Sequence, residues 1–401
     1  MARRALKTTE EFRTYVKEVQ SIEGYRDPLA FGIARVDRGQ KNRDKILQAT
    51  FPVVNWKENL GSAAIFIGAL REAGVDVDFK GSEFVCNATK EFVENAFALC
   101  SPYVNEAFGE NHKNVQVIKH LHNLFQGPGV SEDDYRVVFL FEDAPPKSVE
   151  SVYIKLYALS LDKAPLRSLN LNGAFGVLPN VAWSGNMPIE LDWLRENEIE
   201  LKLDGMYPQI DSVDKFPRYL QHIIPADNTR ILDSAKVRMG AKLSPGTTVM
   251  PGASYINFNA GTEGAVMVEG RISSSAVVKE GADIGGGASI LGVLSGTNGN
   301  PITIGRNTLL GANSVTGIPL GDGCIVDAGI AVLEGTKIVI SPKELDKIKE
   351  ANPNADIENK EIFKGIELAG LNGIHFRQDS LNGKMRAFRS KREVKLNAEL
   401  H

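Results

Sequence analysis

The chain has 401 residues, 43% of them hydrophobic and 24% charged, which is the composition of an ordinary soluble protein too long for one small core. Its 46 Lys and Arg against 50 Asp and Glu leave a formal net charge of −4, so there is no global basic field to hold a nucleic-acid backbone. Cys86, Cys100 and Cys324 are odd in number, far apart and free of C-x-x-C spacing, which argues against a disulfide framework or zinc ribbon and for a cytoplasmic chain.

The opening MARRALKTTEEF runs straight into a polar, acidic stretch, so it does not read as a secretory signal. The longest apolar runs, such as residues 63–70, are too short to cross a bilayer. Neither membrane nor nucleic acid is expected as a partner.

Residues 1–225 read as an α/β domain with a loop-rich connection. TTEEFRTYVKEVQ and KEFVENAFALC have helical spacing, while RVVFLF and SVYIKLYALSL are strand-like. His112, His120 and His122 invite a metal reading, but no acidic or cysteine partner stands at ligand spacing. NVQVIKHLHNLF looks helical, which would turn residues 120 and 122 apart. Prolines punctuate residues 163–227, and Pro217 and Pro225 bracket a short helix candidate, RYLQHII.

Residues 226–340 are different. Glycine recurs every sixth residue at Gly240, Gly246 and Gly252, with an apolar residue three places later. After an interruption at NFNAGTEG the phase resumes, with Ile272, Val278, Ile284 and Ile290 six apart; a second interruption, LSGTNGN, precedes Gly305 and Gly311. A six-residue period means one short strand and one tight turn per repeat, and three repeats make a triangular coil that stacks on the next by parallel pairing. The period alone does not set the handedness. In residues 341–401, SPKELDKIKEAN reads as a Ser-capped helix with Glu344 at the capping-box position, followed by strand-like runs.

No histidine lies between His222 and His375, so a base inside the coils must be a carboxylate. Among Glu263, Glu269, Glu280, Asp283, Asp322 and Asp327, Glu269 stands out because MVEGRIS follows the first interruption directly. Arg271 could grip a substrate carboxylate in a bidentate pair, or simply pair with Glu269 at the surface. GADIGGGASILG looks like a dinucleotide loop but keeps the six-residue phase, so it reads as solenoid turns. The basic run Lys384, Arg386, Arg389, Lys391, Arg392 and Lys395 could meet nucleotide phosphates, although charge runs are usually just solvated.

NFNAGTEGAVMVEGRIS, GGGASILGVLSG and IGRNTLLGANSVTGIPLGDGCIVDAGIAVLEGT together resemble the tetrahydrodipicolinate N-succinyltransferases, in their longer-chain branch. The resemblance is dense over residues 237–336 and fainter upstream, at NGAFGVLPNVAWS. It implies a left-handed parallel β-helix between the N-terminal domain and a small C-terminal α+β extension. It also implies a homotrimer with active sites between subunits, and succinyl transfer from succinyl-coenzyme A to the amine of ring-opened tetrahydrodipicolinate in the diaminopimelate route to lysine. Succinyl-coenzyme A is then a co-substrate, and no tightly bound cofactor is implied.

Carried over by motif, Glu269 matches the catalytic glutamate, as base or as acyl acceptor. Arg271, Gly286, Ser289, Ala312, Asp327, Ala328 and Gly335 match succinyl-coenzyme A contacts. Asn257 and Asn259 are expected at the pimelate substrate, with an asparagine ladder in the coil as the alternative. Some relatives hold an axial magnesium ion on acidic residues; Lys236 and Ala253 stand at those positions, so no metal is expected. A hexapeptide acetyltransferase normally employs histidine, and a non-catalytic β-helical module needs the repeats without MVEGRIS; these are the competing readings.

Overall fold

A computed structural model describes residues 4–293, 297, 299–391 and 396. The chain divides into two compact units, Met1–Ala158 with Leu169–Phe216, and Leu159–Ser168 with Pro217–His401.

In the first unit, four strands lie in the order Ile46–Thr50, Ala30–Arg38, Tyr135–Leu140, Glu83–Asn87, all neighbours antiparallel. Helices Thr9–Gln20, Lys90–Leu99 and Lys113–Leu124 form where the spacing predicts them. Thr8 and Thr89 cap the first two, accepting from the backbone N–H of Glu11 and Phe92. The apolar run 63–70 lies in the helix Leu60–Glu72 and is buried throughout. Phe66 packs edge-on between Phe31 and Phe92, with ring centroids 5.8 and 5.9 Å away.

Two expectations fail in this unit. SVYIKLYALSL is helical, as part of Val149–Ser160, not a strand. Val152, Tyr153, Ile154, Leu156 and Tyr157 are all buried, so no polar stripe marks the 3.6-residue period, and β-branched and aromatic content misleads. Even Lys155 is buried, its ammonium bonded to Asp143 Oδ1 at 2.8 Å and to two carbonyls. The proline-punctuated stretch is also more than a connection: Met187–Glu190, Val181–Ser184 and Ser212–Asp214 form an antiparallel three-stranded sheet.

The second unit is a parallel-strand solenoid with three faces. One ladder runs through Arg230–Ile231, Thr248–Val249, Met267–Val268, Asp283–Ile284, Leu309–Leu310 and Ile325–Val326. A second joins Tyr255–Ile256, Arg271–Ile272, Ser289–Ile290, Val315–Thr316 and Ala331–Val332. A third joins Gly261–Glu263, Val277–Lys279 and Thr303–Ile304. The inward residues Val249, Ile256, Val268, Ile272, Val278, Ile284 and Ile290 have no exposed surface; each such side chain contributes roughly 1.5–3 kcal/mol.

NFNAGTEG does not interrupt the coil: it supplies a turn and the third-face strand Gly261–Glu263. What breaks the six-residue phase is turn length. Residues 250–254 form a five-residue turn, whereas residues 269–270 form a turn of only two, so the inward Val268 and Ile272 stand four apart. LSGTNGN falls largely outside the described residues.

Beyond the coils, Ile374–Gln378 extends the first ladder by pairing with Ile325–Val326, and Met385–Arg389 pairs antiparallel to it. Pro342–Ala351 is helical as predicted, but Ser341 makes no side-chain cap. Glu344 instead binds Lys347 and accepts from the Arg389 N–H at 3.0 Å, so the capping box is not formed. RYLQHII holds only a 3₁₀ turn, Tyr219–Gln221.

Candidate active site

The first and second faces meet at a corner where turns stack coil upon coil: residues 250–254, 269–270, 285–288, 311–314 and 327–330. The three later turns have four residues each, so the two-residue turn at Glu269 is recessed. Its backbone is fixed from above. The Glu269 N–H donates to the Ile284 carbonyl at 2.8 Å, its carbonyl accepts from Gly287 at 3.2 Å, and the Arg271 N–H donates to the Ala288 carbonyl at 2.7 Å.

The half-buried Glu269 carboxylate forms no hydrogen bond or ion pair with any described residue. The Glu269–Arg271 surface pair is therefore not formed. Arg271 is exposed on the adjoining strand, in register with Ser289 one coil on, and Ser289 is buried. A carboxylate and, on the adjoining strand, a guanidinium that both lack a partner among the described residues can accept a proton and hold an anionic group.

Gly286, Ala312 and Ala328 occupy the second position of the successive four-residue turns. The Gly286 and Ala312 carbonyls accept from Asn313 and Gly329, each at 2.9 Å, while the N–H groups of Gly286, Ala312 and Ala328 find no acceptor among the described residues. Side by side they offer backbone donors, unobstructed by bulk, to an extended amide chain.

Asp327 starts the last of these turns, three coils beyond Glu269, which at about 4.8 Å per coil is about 14 Å away. Its carboxylate is committed: Oδ1 lies 2.6 Å from His375 Nε2, and Oδ2 accepts from Arg377 Nε. Burial alone would raise this carboxyl, but the bonds from Arg377 and His375 prevail and hold it below the ordinary aspartate value. His375 thus enters the first ladder beside Ile325, so the long stretch without histidine does not leave the solenoid without an imidazole. It is too far along the corner to serve Glu269.

Asn257 and Asn259 lie at the next corner, between the second and third faces, rather than beside Glu269. Both side-chain carbonyls are engaged within the unit. Asn257 Oδ1 accepts from its neighbour Phe258 at 2.9 Å, and Asn259, left-handed at φ 55°, accepts from the Arg167 N–H at 2.8 Å. Gly335 lies in the turn after Ala331–Val332, exposed, with no atom near the position a side chain would take. Glu269, Arg271, Gly286, Ser289, Ala312, Asp327 and Ala328 therefore share one corner, while Asn257, Asn259 and Gly335 stand apart from it.

Sequence reasoning missed Arg167. Half-buried, at φ 69°, it donates to the Ser275 carbonyl at 2.6 Å, to Thr303 Oγ1 at 2.9 Å and to the Ile302 carbonyl, stapling three coils at the Asn259 corner. Burial lowers its guanidinium pKa. Nothing local in DKAPLRSLN signals this, since every partner is distant in sequence.

The other candidates disperse. His122 stacks on Phe97 at 4.0 Å, His112 tilts over Tyr103, and His120 lines a cavity of about 850 Å³ in the first unit with Arg35, Lys113 and Phe108. No residue of the Glu269 corner lines that cavity. Arg386 is paired with Asp379, and Arg389 donates to the Gly373 carbonyl; Arg392 and Lys395 lie outside the described residues. At the two positions the resemblance singles out for an axial magnesium, Lys236 donates to the Gly252 carbonyl at 2.7 Å, and Ala253 has no side-chain donor atom. An ammonium group and a methyl do not fit a divalent cation.

The tetrahydrodipicolinate N-succinyltransferase N-terminal family matches residues 10–176, its middle family residues 178–218, and the hexapeptide repeat of succinyl-transferase residues 301–334. A 2,3,4,5-tetrahydropyridine-2,6-dicarboxylate N-succinyltransferase of Sulfurovum sp. is 68% identical, covering 100% of both chains. Its Campylobacter jejuni counterpart is 57% identical over 99% of this chain and 100% of its own. A C. jejuni crystal structure assigned as a 2,3,4,5-tetrahydropyridine-2-carboxylate N-succinyltransferase superposes with a TM-score of 0.91, covering 97% of this chain and 99% of the other.

Proposed function

The chain belongs to the tetrahydrodipicolinate N-succinyltransferase family, and from that premise we propose how its corner performs succinyl transfer. The reaction moves a succinyl group from succinyl-coenzyme A to the amine of ring-opened tetrahydrodipicolinate. It releases coenzyme A and N-succinyl-2-amino-6-oxopimelate, a step of lysine and diaminopimelate biosynthesis in the cytoplasm. The observation that carries this reading is the Glu269 carboxylate in its recessed turn and the Arg271 guanidinium on the adjoining strand, neither paired among the described residues.

The pantetheine arm runs up the corner, its amides meeting the backbone of Gly286 and Ala312. Arg271 and Ser289 receive the distal succinyl carboxylate. Asp327 and Ala328 meet the donor further along, Asp327 through its main chain because its carboxylate is already bound, and Gly335 lies near the last coil. As base, Glu269 takes a proton from the substrate ammonium; the amine forms the C–N bond at the thioester carbonyl, the C–S bond breaks, and the thiolate is protonated. As acyl acceptor, Glu269 first forms a mixed anhydride with loss of the thiolate, and the amine then takes the acyl group. Trapping succinate on Glu269 in the absence of amine separates the two routes.

The left-handed coil and the homotrimer belong to the same proposal. Glu269 is only half-buried on its own chain, and Asn257 and Asn259 lie at a different corner, so a site that uses both draws on two subunits. Thiol release followed with tetrahydrodipicolinate and either succinyl- or acetyl-coenzyme A is the direct test. Release with the succinyl donor alone is expected; release with only acetyl-coenzyme A overturns the donor, and none with either returns a non-catalytic assembly.

A further inference from the structure

Gly285, Gly286 and Gly287 are consecutive but not equivalent. A side chain on Gly285 would place its Cβ 2.6 Å from the Leu310 carbonyl oxygen, so the stacking of the coils forbids one. Gly287 has φ +73°, and its Cβ would sit 2.3 Å from Asn313 Oδ1, so conformation and contact both disfavour a side chain there. Gly286 is under neither constraint. Its φ is not left-handed, and the only heavy atom near a Cβ built there is Glu269 Oε2, at 3.6 Å, an ordinary contact distance.

The two following turns make the same point from sequence. Position two of the turn is Gly286, Ala312 and Ala328 in successive coils, and position three is Gly287, Asn313 and Gly329, all at positive φ. The turn thus accepts alanine at position two in both later coils. It carries glycine in the one coil where that position faces Glu269.

We propose that Gly286 is an acyl-donor specificity residue: its missing side chain is the space beside the Glu269 carboxylate in which the acyl group lies. The inference rests on the succinyl-transfer reading above and adds to it a reason for the glycine itself. A methyl group would fill volume the four-carbon acyl chain needs, and a misfit of this size in a close site changes discrimination by roughly 10- to 200-fold. Free coenzyme A, which has no acyl group and meets Gly286 only through its main chain, would feel it less.

The test uses the full-length protein and its Gly285→Ala, Gly286→Ala and Gly287→Ala variants. Binding of succinyl-coenzyme A and of free coenzyme A is measured calorimetrically without the amine acceptor, alongside thermal unfolding. For Gly286→Ala the melting temperature is expected to stay within about 2 °C of the parent, and succinyl-coenzyme A binding to weaken about tenfold, several-fold more than free coenzyme A. Gly285→Ala and Gly287→Ala are expected to lose about 4 °C or more. The proposal is overturned if Gly286→Ala melts like its neighbours, if both ligands weaken equally, or if neither changes. A parent protein that binds free coenzyme A but gives no succinyl transfer to tetrahydrodipicolinate sinks the underlying reading instead, and the inference with it.

Discussion

Glu269 and Asp327 are the carboxylates at the start of two turns on one solenoid corner, three coils apart, and the fold treats them oppositely. Asp327 opens a four-residue turn and is gripped through both oxygens by His375 and Arg377. Glu269 opens a two-residue turn and is gripped by nothing described. Charge type and repeat position are the same in both. What separates them is whether a distant strand, Ile374–Gln378, reaches the corner to neutralise the carboxylate. A carboxylate that its own chain has satisfied stabilises the fold, whereas one left open at a rigid turn is free for a reactant.

The comparison breaks most readily at Glu269. Replacing it with alanine is expected to lower succinyl transfer by about 10³-fold, within the range for a general acid–base group, with the melting temperature unchanged because no internal bond is lost. Activity within tenfold of the parent would put Glu269 among ordinary surface acids. Next in size is Arg271→Met. Loss of a charge-assisted bond worth about 1.5–3 kcal/mol should raise the KM for succinyl-coenzyme A roughly 10- to 100-fold, with kcat changed less; a pure stability defect would instead make Arg271 a strut.

Asp327→Asn is expected to do the reverse. It should cost about 1 kcal/mol in urea unfolding, since the carboxylate is partly exposed and its ion pairs are screened, with kcat/KM within about threefold. A large catalytic loss at unchanged stability would erase the distinction between the two residues. The smallest effect is its acid signature. Because the folded state holds the Asp327 carboxyl below its ordinary value, its stabilisation is complete above the unfolded aspartate pKa of about 3.9 and disappears as pH falls through the depressed value. Melting curves of parent and Asp327→Asn should therefore differ at pH 7 and converge in strong acid.

Much of this was legible beforehand. Six-residue spacing located the solenoid and its inward aliphatics, because a short strand and a tight turn impose the same demand on every repeat. MVEGRIS and GGGAS marked turns that the fold stacks at one corner, where the site is proposed. The reading slipped where a period cannot speak. SVYIKLYALSL is buried on every side, so its helix shows no polar stripe. The apparent interruption at NFNAGTEG was a change of turn length at the neighbouring corner, in residues 250–254 and 269–270. Asn257 and Asn259, close to Glu269 in sequence and expected at the pimelate substrate, belong to the neighbouring corner.

The sequence by itself determined the repeat, the inward residues and the identity of the open carboxylate, because local spacing and residue chemistry carry those. Only tertiary structure decided that His375 and Arg377 close on Asp327, that Arg167 staples the Asn259 corner, and that Gly286 alone among three glycines is free of steric duty. Each of these depends on which atoms from remote segments come within a few ångströms, and no window along the chain contains that information.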